Sequence, residues 1–165
     1  MNSKAQHFFA LLKGHWDFYR TLTKHGTAEG VASFKELNTF NLYYKEEGIW
    51  IKPNQTQHQV YRDYIYCYDP GRDKITAYFT DNHKPAALFH ELIFTTPWAD
   101  PCLIAEGYHQ CKNDHYKAQY IVKDNDQFCL SYIVKGLNKN YVSETTFHRL
   151  RCSEEESPGG CRSNV

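Results

Sequence analysis

The segment Trp16-Asp17-Phe18-Tyr19-Arg20-Thr21-Leu22 alternates, with Trp16, Phe18, Arg20 and Leu22 on one face of an extended chain and Asp17, Tyr19 and Thr21 on the other. A period of two is the mark of a strand with one covered face, because successive side chains point to opposite sides. Just upstream the period is helical. Ser3 and Gln6 have capping-box spacing, Phe8, Leu11 and Leu12 share a helical face, and Gly14 supplies a stop, so a short helix is expected over residues 3–13. Downstream, strand-like runs follow at 29–37, 39–47, 57–68, 74–80, 87–95, 103–111, 115–122, 127–135 and 141–150. Turn formers separate them: His25-Gly26, Gly48, Pro53-Asn54, Asp69-Pro70-Gly71, Asp81-Asn82, Asp100-Pro101, Asn113-Asp114, Asp124-Asn125-Asp126 and Gly136 with Asn138. Short strands joined by tight turns predict an all-β, antiparallel up-and-down β-barrel of about eight to ten strands, since closure removes exposed sheet edges. A sandwich is the alternative.

Composition agrees. The aromatic fraction of 16% with a single methionine favours strands over helices. At 165 residues one domain suffices, over 1–152, and the remainder from 153, with Glu154-Glu155-Glu156 and Pro158-Gly159-Gly160, reads as a disordered tail. Basic and acidic residues number 19 each, so net charge names neither nucleic acid nor an anionic membrane as a partner. Tyr61-Arg62-Asp63-Tyr64 interleaves base and aromatic, but its acidic neighbour argues against a nucleic-acid stripe. There is no secretory-type leader and no apolar run long enough to span a bilayer, so a soluble cytoplasmic protein is expected. In a reducing compartment Cys67, Cys102, Cys111, Cys129, Cys152 and Cys161 would be free thiols.

Several motifs occur together in order: Trp16-x-Phe18-x-Arg20, Gly30, Tyr44-x-Glu46-x-Gly48, Arg62-x-Tyr64, Phe89-His90, His109-x-Cys111-x-x-Asp114-x-Tyr116, Gly136 with Lys139 and Tyr141, and Phe147-x-Arg149. In these the chain resembles a calycin-like (lipocalin-type barrel) family of small stand-alone proteins of unknown function. The likeness spans positions 16 to 149. It implies a calycin-like barrel of the kind that holds hydrophobic or pigment-like ligands. It also implies that Trp16, near the closed end, lies under Arg149 from the last strand, a cation–π contact that locks the two ends of the sheet together.

Arg20, Glu46, Arg62, His90 and His109 fall on the face that also carries large apolar residues. Buried charge needs a partner or a wet cavity. Two arginines against one glutamate leave a net positive site, and guanidinium forks suit carboxylate or phosphate, so the expected ligand has an apolar body and an acidic group. Tyr64, Cys111 and Tyr116 complete the expected ligand-binding set, with all five charged and histidine residues lining one cavity. His90, placed by alternation with Leu88, Leu92 and Phe94, would with His109 add charge as pH falls towards about 6.5. A metal or haem held by His90, His109 and Cys111 is weighed against histidines hydrogen-bonded in a polar barrel, and absent paired-ligand spacing favours the latter.

No phosphate-binding glycine loop, nucleophile elbow or His-Glu-x-x-His motif is present, and no cofactor is named. Binding of a small organic ligand is therefore the leading expectation. The alternatives are an enzyme using pairs such as Glu46 with His109 or Asp114 with His90, and a filled barrel that serves as a structural or interaction domain.

Overall fold

In a computed structural model, which describes residues 3–95 and 102–151, helix α1 (Lys4–Leu12) is followed by ten strands. They are β1 (Gly14–Leu22), β2 (Gly26–Asn38), β3 (Asn41–Ile51), β4 (Gln57–Asp69), β5 (Lys74–Asp81), β6 (Lys84–Phe94), β7 (Leu103–Cys111), β8 (Asp114–Asp124), β9 (Gln127–Lys135) and β10 (Asn140–Leu150). Each strand pairs antiparallel with its sequence neighbours, and β1 pairs with β10 to close the barrel. The expected up-and-down meander is thus the fold. The tail from 153, together with Cys152 and Cys161, lies outside the described residues; Cys67, Cys111 and Cys129 are free thiols.

The Ser3 hydroxyl accepts a hydrogen bond from the Gln6 amide at 3.0 Å and so caps α1. Phe8, Leu11 and Leu12 turn inward, and the Phe8 ring meets Tyr120 and Phe94 edge to face, which seats the helix over the end of the barrel where β1 starts. Gly14, at φ +120°, then redirects the chain into β1, a conformation that glycine adopts without steric cost. In β1 the buried residues are Trp16, Phe18 and Arg20, as the alternation requires.

Arg149 stands opposite Trp16 in the β1–β10 register, with its guanidinium carbon 4.2 Å from the indole centroid. It also donates to the carbonyls of Leu11 and Lys13 at 2.7 Å each, and of Asn125 at 2.9 Å. Trp16 Nε1 donates to the Leu12 carbonyl at 3.0 Å. One cation thus joins the last strand to the helix's unpaired C-terminal carbonyls and to the first strand's indole. Arg149→Ala is expected to cost about 2 kcal/mol, read as a lower chemical-unfolding midpoint; an unchanged midpoint would remove this closing role.

Two departures from simple alternation matter. Gly48, which the sequence marks as a turn, lies inside β3 opposite Gly30 of β2. A Cβ at Gly30 would sit 2.1 Å from the Glu47 carbonyl oxygen, and one at Gly48 would sit 2.2 Å from that of Glu29, so this glycine pair lets two long strands approach and coil. In β6 the register against β5 shifts between Ala77↔His90 and Tyr78↔Leu88, leaving Phe89 as an extra residue. This bulge turns Phe89 and His90 both inward and leaves Leu88 exposed, which corrects the placing of Leu88 on the face of His90. Beyond it, the β6–β7 register covers only Ile93↔Glu106 and Phe94↔Ala105.

Candidate functional site

The interior is layered along the barrel axis. Next to α1 lies an aromatic and aliphatic core that includes Trp16, Phe34, Phe128 and Phe147. At the opposite end is a cavity of about 340 Å³ walled by Leu22, Arg62, Tyr64, Phe79, Phe89, His109, Cys111, Tyr116, Tyr132, Val134, Tyr141 and Ser143. Between the two sits a belt of buried polar groups.

Arg20 and Glu46 form one half of this belt. The guanidinium meets both carboxylate oxygens, at 2.7 and 2.8 Å, and its Nε donates to the Thr145 hydroxyl at 2.7 Å. Tyr44 donates its hydroxyl to the same carboxylate, and Arg62 Nε stands 3.6 Å from it. Burial alone would push the Glu46 carboxyl up, but the Arg20 bond and charge, the Arg62 charge and the Tyr44 bond together hold it below its ordinary value. The pair is nearly inaccessible, at 4% and 2% exposure. Arg20 and Glu46 therefore do not line the cavity. They satisfy one another beneath it, and this corrects the expectation of a shared ligand site.

His90 forms the other half and is likewise not a wall residue. Its Nε2 faces the Tyr120 hydroxyl at 3.3 Å, Tyr120 meets the Tyr66 hydroxyl at 2.8 Å, and Nδ1 has no protein hydrogen-bond partner among the described residues. The ring packs so closely on Gly107 that a Cβ there would lie 2.5 Å from His90 Cδ2. Burial, with the neighbouring His109 adding to it, lowers the His90 pKa to about 4. His90 thus cannot contribute positive charge near neutral pH, contrary to the expectation that both histidines would. Phe89, its ring 4.4 Å from that of His90, lies over it and faces the cavity instead.

Of the expected set, Arg62, Tyr64, His109, Cys111 and Tyr116 do stand on the cavity wall. Arg62 projects from β4 with its side chain 42% exposed, the only arginine on the wall among the described residues, next to a carboxylate that Arg20 has already neutralised. Tyr64 and Phe89 stack at 5.1 Å with 16° between their planes, and Tyr132 lies 6.1 Å from Phe89 at 26°. His109 packs edgewise on Phe79 and Phe89. Lys139 donates to the Tyr116 hydroxyl at 3.1 Å and pairs with Asp114 at 3.3 Å, which fixes the β9–β10 turn against the mouth. Sequence reasoning missed Leu22, Phe79, Phe89, Tyr132, Val134 and Ser143 as wall residues. Period-two patterning marks most of them as inward, yet no local signal places them at this end.

The two pairs named for the enzyme alternative, Glu46 with His109 and Asp114 with His90, are not formed among the described residues: Glu46 is bound by Arg20, and Asp114 by Lys139. His90, His109 and Cys111 are not gathered either, and among the described residues no group of three histidine, cysteine or carboxylate side chains is placed to hold a metal ion.

The model of a family of unknown function, DUF6314, matches residues 12–149. The chain belongs to this family. No curated protein sequence matches this DUF6314 member. Among solved structures it resembles the S-type phycobiliprotein lyase CPES from Guillardia theta, at 10% identity over 91% of this chain and 97% of that one, with a TM-score of 0.63. It also matches a redesigned β-barrel, mFAP0, bound to DFHBI, at 12% identity over 84% of this chain and 99% of that one, with a TM-score of 0.44. At such identities the likeness to the lyase is one of fold, and it places this DUF6314 member among calycin-like barrels.

Proposed function

We propose that the barrel binds a small organic acid with a flat apolar body in the cavity at its open end. The carrying observation is the combination of about 340 Å³ of space, walls of tyrosine and phenylalanine, and a single half-exposed guanidinium whose nearest carboxylate is already paired. The volume lies at the lower end of the range for small-molecule sites, roughly 300–1,000 Å³. Stacked rings offer a face for a planar body, and Arg62 offers a fork for carboxylate, sulfonate or phosphate. This ligand type is the one expected from the residues, now with Arg62 alone in the role first given to two arginines.

Anilinonaphthalene sulfonate, which joins fused rings to one anionic group, is a suitable probe. Arg62→Leu is expected to weaken its binding about tenfold, as a charge-assisted hydrogen bond discounted for partial exposure implies. Ser143→Trp, which fills the cavity, is expected to abolish binding. Equal affinities for wild type and both variants, read by fluorescence titration, would place the probe elsewhere and reject the site.

A further inference from the structure

Zero net charge over the whole chain conceals a local cluster of lysines at one end of the barrel. In this meander the turns after β1, β3, β5, β7 and β9 all lie at the mouth of the cavity. Each, with the strand ends that bound it, carries a lysine: Lys24, Lys52, Lys84, Lys112, and Lys135 with Lys139. The carboxylates in the same turns are Asp81 and Asp114, and Asp114 is engaged by Lys139. Lys24, Lys84, Lys112 and Lys135 are exposed, and among the described residues no carboxylate stands within ion-pair distance of them. Leu137, at the apex of the β9–β10 turn, is 83% exposed among these charges. The Lys52 ammonium lies 4.8 Å from the Trp50 ring.

We propose that this rim docks on the surface of an anionic phospholipid bilayer. The charges are lysine point charges on separate turns arranged around a circular opening. The rings nearest these lysines, Trp50, Tyr116 and Tyr141, are met by Lys52, Lys139 and His25, so they are not laid out as the open stacking platform that a nucleic-acid track needs. A flat, fluid array of headgroups satisfies such a ring without a fixed register, and the exposed Leu137 can enter the interfacial layer. At the centre of the ring is the cavity, so an amphiphile could pass between bilayer and barrel with its apolar body kept from water. The choice of a bilayer over an acidic polymer rests on reading the cavity as a site for an amphiphile; the charge asymmetry does not. Each basic residue near an anionic surface is worth roughly fivefold in partitioning. The attraction reaches about 10 Å at 0.1 M salt and fades as salt rises.

The test is co-sedimentation of the full chain with phosphatidylcholine vesicles with and without about 30 mol % phosphatidylserine. Binding is expected only to the anionic vesicles. It should fall at least tenfold in about 0.5 M salt, where screening is short-ranged, and likewise in the variant Lys24→Glu, Lys84→Glu, Lys112→Glu, Lys135→Glu. If that variant does not fold, the same four positions changed to glutamine serve. Arg62→Leu should dock like wild type, and the lysine variant should bind anilinonaphthalene sulfonate like wild type, so the rim and the cavity fail separately. No binding to anionic vesicles, equal binding to neutral ones, or unchanged binding by the lysine variant would overturn the proposal. Tighter binding to polyglutamate than to vesicles of equal charge would overturn it in favour of an acidic polymer.

Discussion

Glu46→Leu is expected to destabilise the barrel by about 3–5 kcal/mol, because it leaves the Arg20 guanidinium inside with only Thr145 as a partner. A buried pair and a buried orphan are different objects. Attraction between Arg20 and Glu46 is largely offset by the cost of taking both from water, whereas removing one partner leaves that cost uncompensated. The double variant Arg20→Met, Glu46→Leu should therefore recover most of the loss, to within about 1–2 kcal/mol of wild type, since it replaces both charges with apolar groups of similar reach. Urea unfolding of the two variants is the measurement. A single variant within about 0.5 kcal/mol of wild type, the spread of neutral surface changes, would show that the pair is not desolvated.

The second large effect is on acid stability and belongs to His90. Its folded pKa of about 4 lies below the ordinary histidine value of about 6.5. Above the higher value neither state carries the extra proton, and stability is unaffected. Between the two, the unfolded chain takes up a proton that the folded chain refuses, so stability falls as pH falls, by about 1.4 kcal/mol per pH unit and about 3 kcal/mol across the window. His90→Phe, which keeps an aromatic ring over Gly107, is expected to flatten that slope. Glu46 acts lower down: its carboxyl is held below the ordinary value, so its contribution is present above about pH 4.3 and is lost as pH falls through the folded value. Unfolding free energies measured from pH 7 down to about pH 3 separate the two. Identical slopes for wild type and His90→Phe would show that His90 is not held neutral.

Much of this molecule is written in a period of two. Trp16, Phe18 and Arg20 point inward because every second residue must, and Arg149 meets Trp16 because the last strand of a closed meander has to return to the first. What alternation cannot supply is height along the axis. Arg20 and Arg62 are both inner-face residues, yet one lies under the cavity and the other on its wall, a difference that arises only when the registers of the intervening strands accumulate. Local insertions are equally silent. Phe89 differs from its neighbours in no way that announces a bulge, yet one extra residue changes the face of Leu88, and a second irregularity follows between Tyr78 and Thr80 of the partner strand. Gly48 misled for a related reason, since glycine marks both turns and close strand approaches, and only the partner Gly30 tells which.

The pairing of β1 with β10 has a further consequence for how the chain is made. Residues His15 and Leu150 are neighbours in the finished wall, but a ribosome delivers them far apart in time, with β2 to β9 made between them. Until the final strand emerges, the first must wait with a bare hydrogen-bonding edge, the condition that invites pairing with another chain. Contacts so distant in sequence also come slowly, because a long loop has to be closed before they return any stability. The polar outer face of β1, with Asp17 and Thr21 beside Tyr19, is the side that this waiting strand shows to its surroundings, and a charge in such a position discourages the wrong partner.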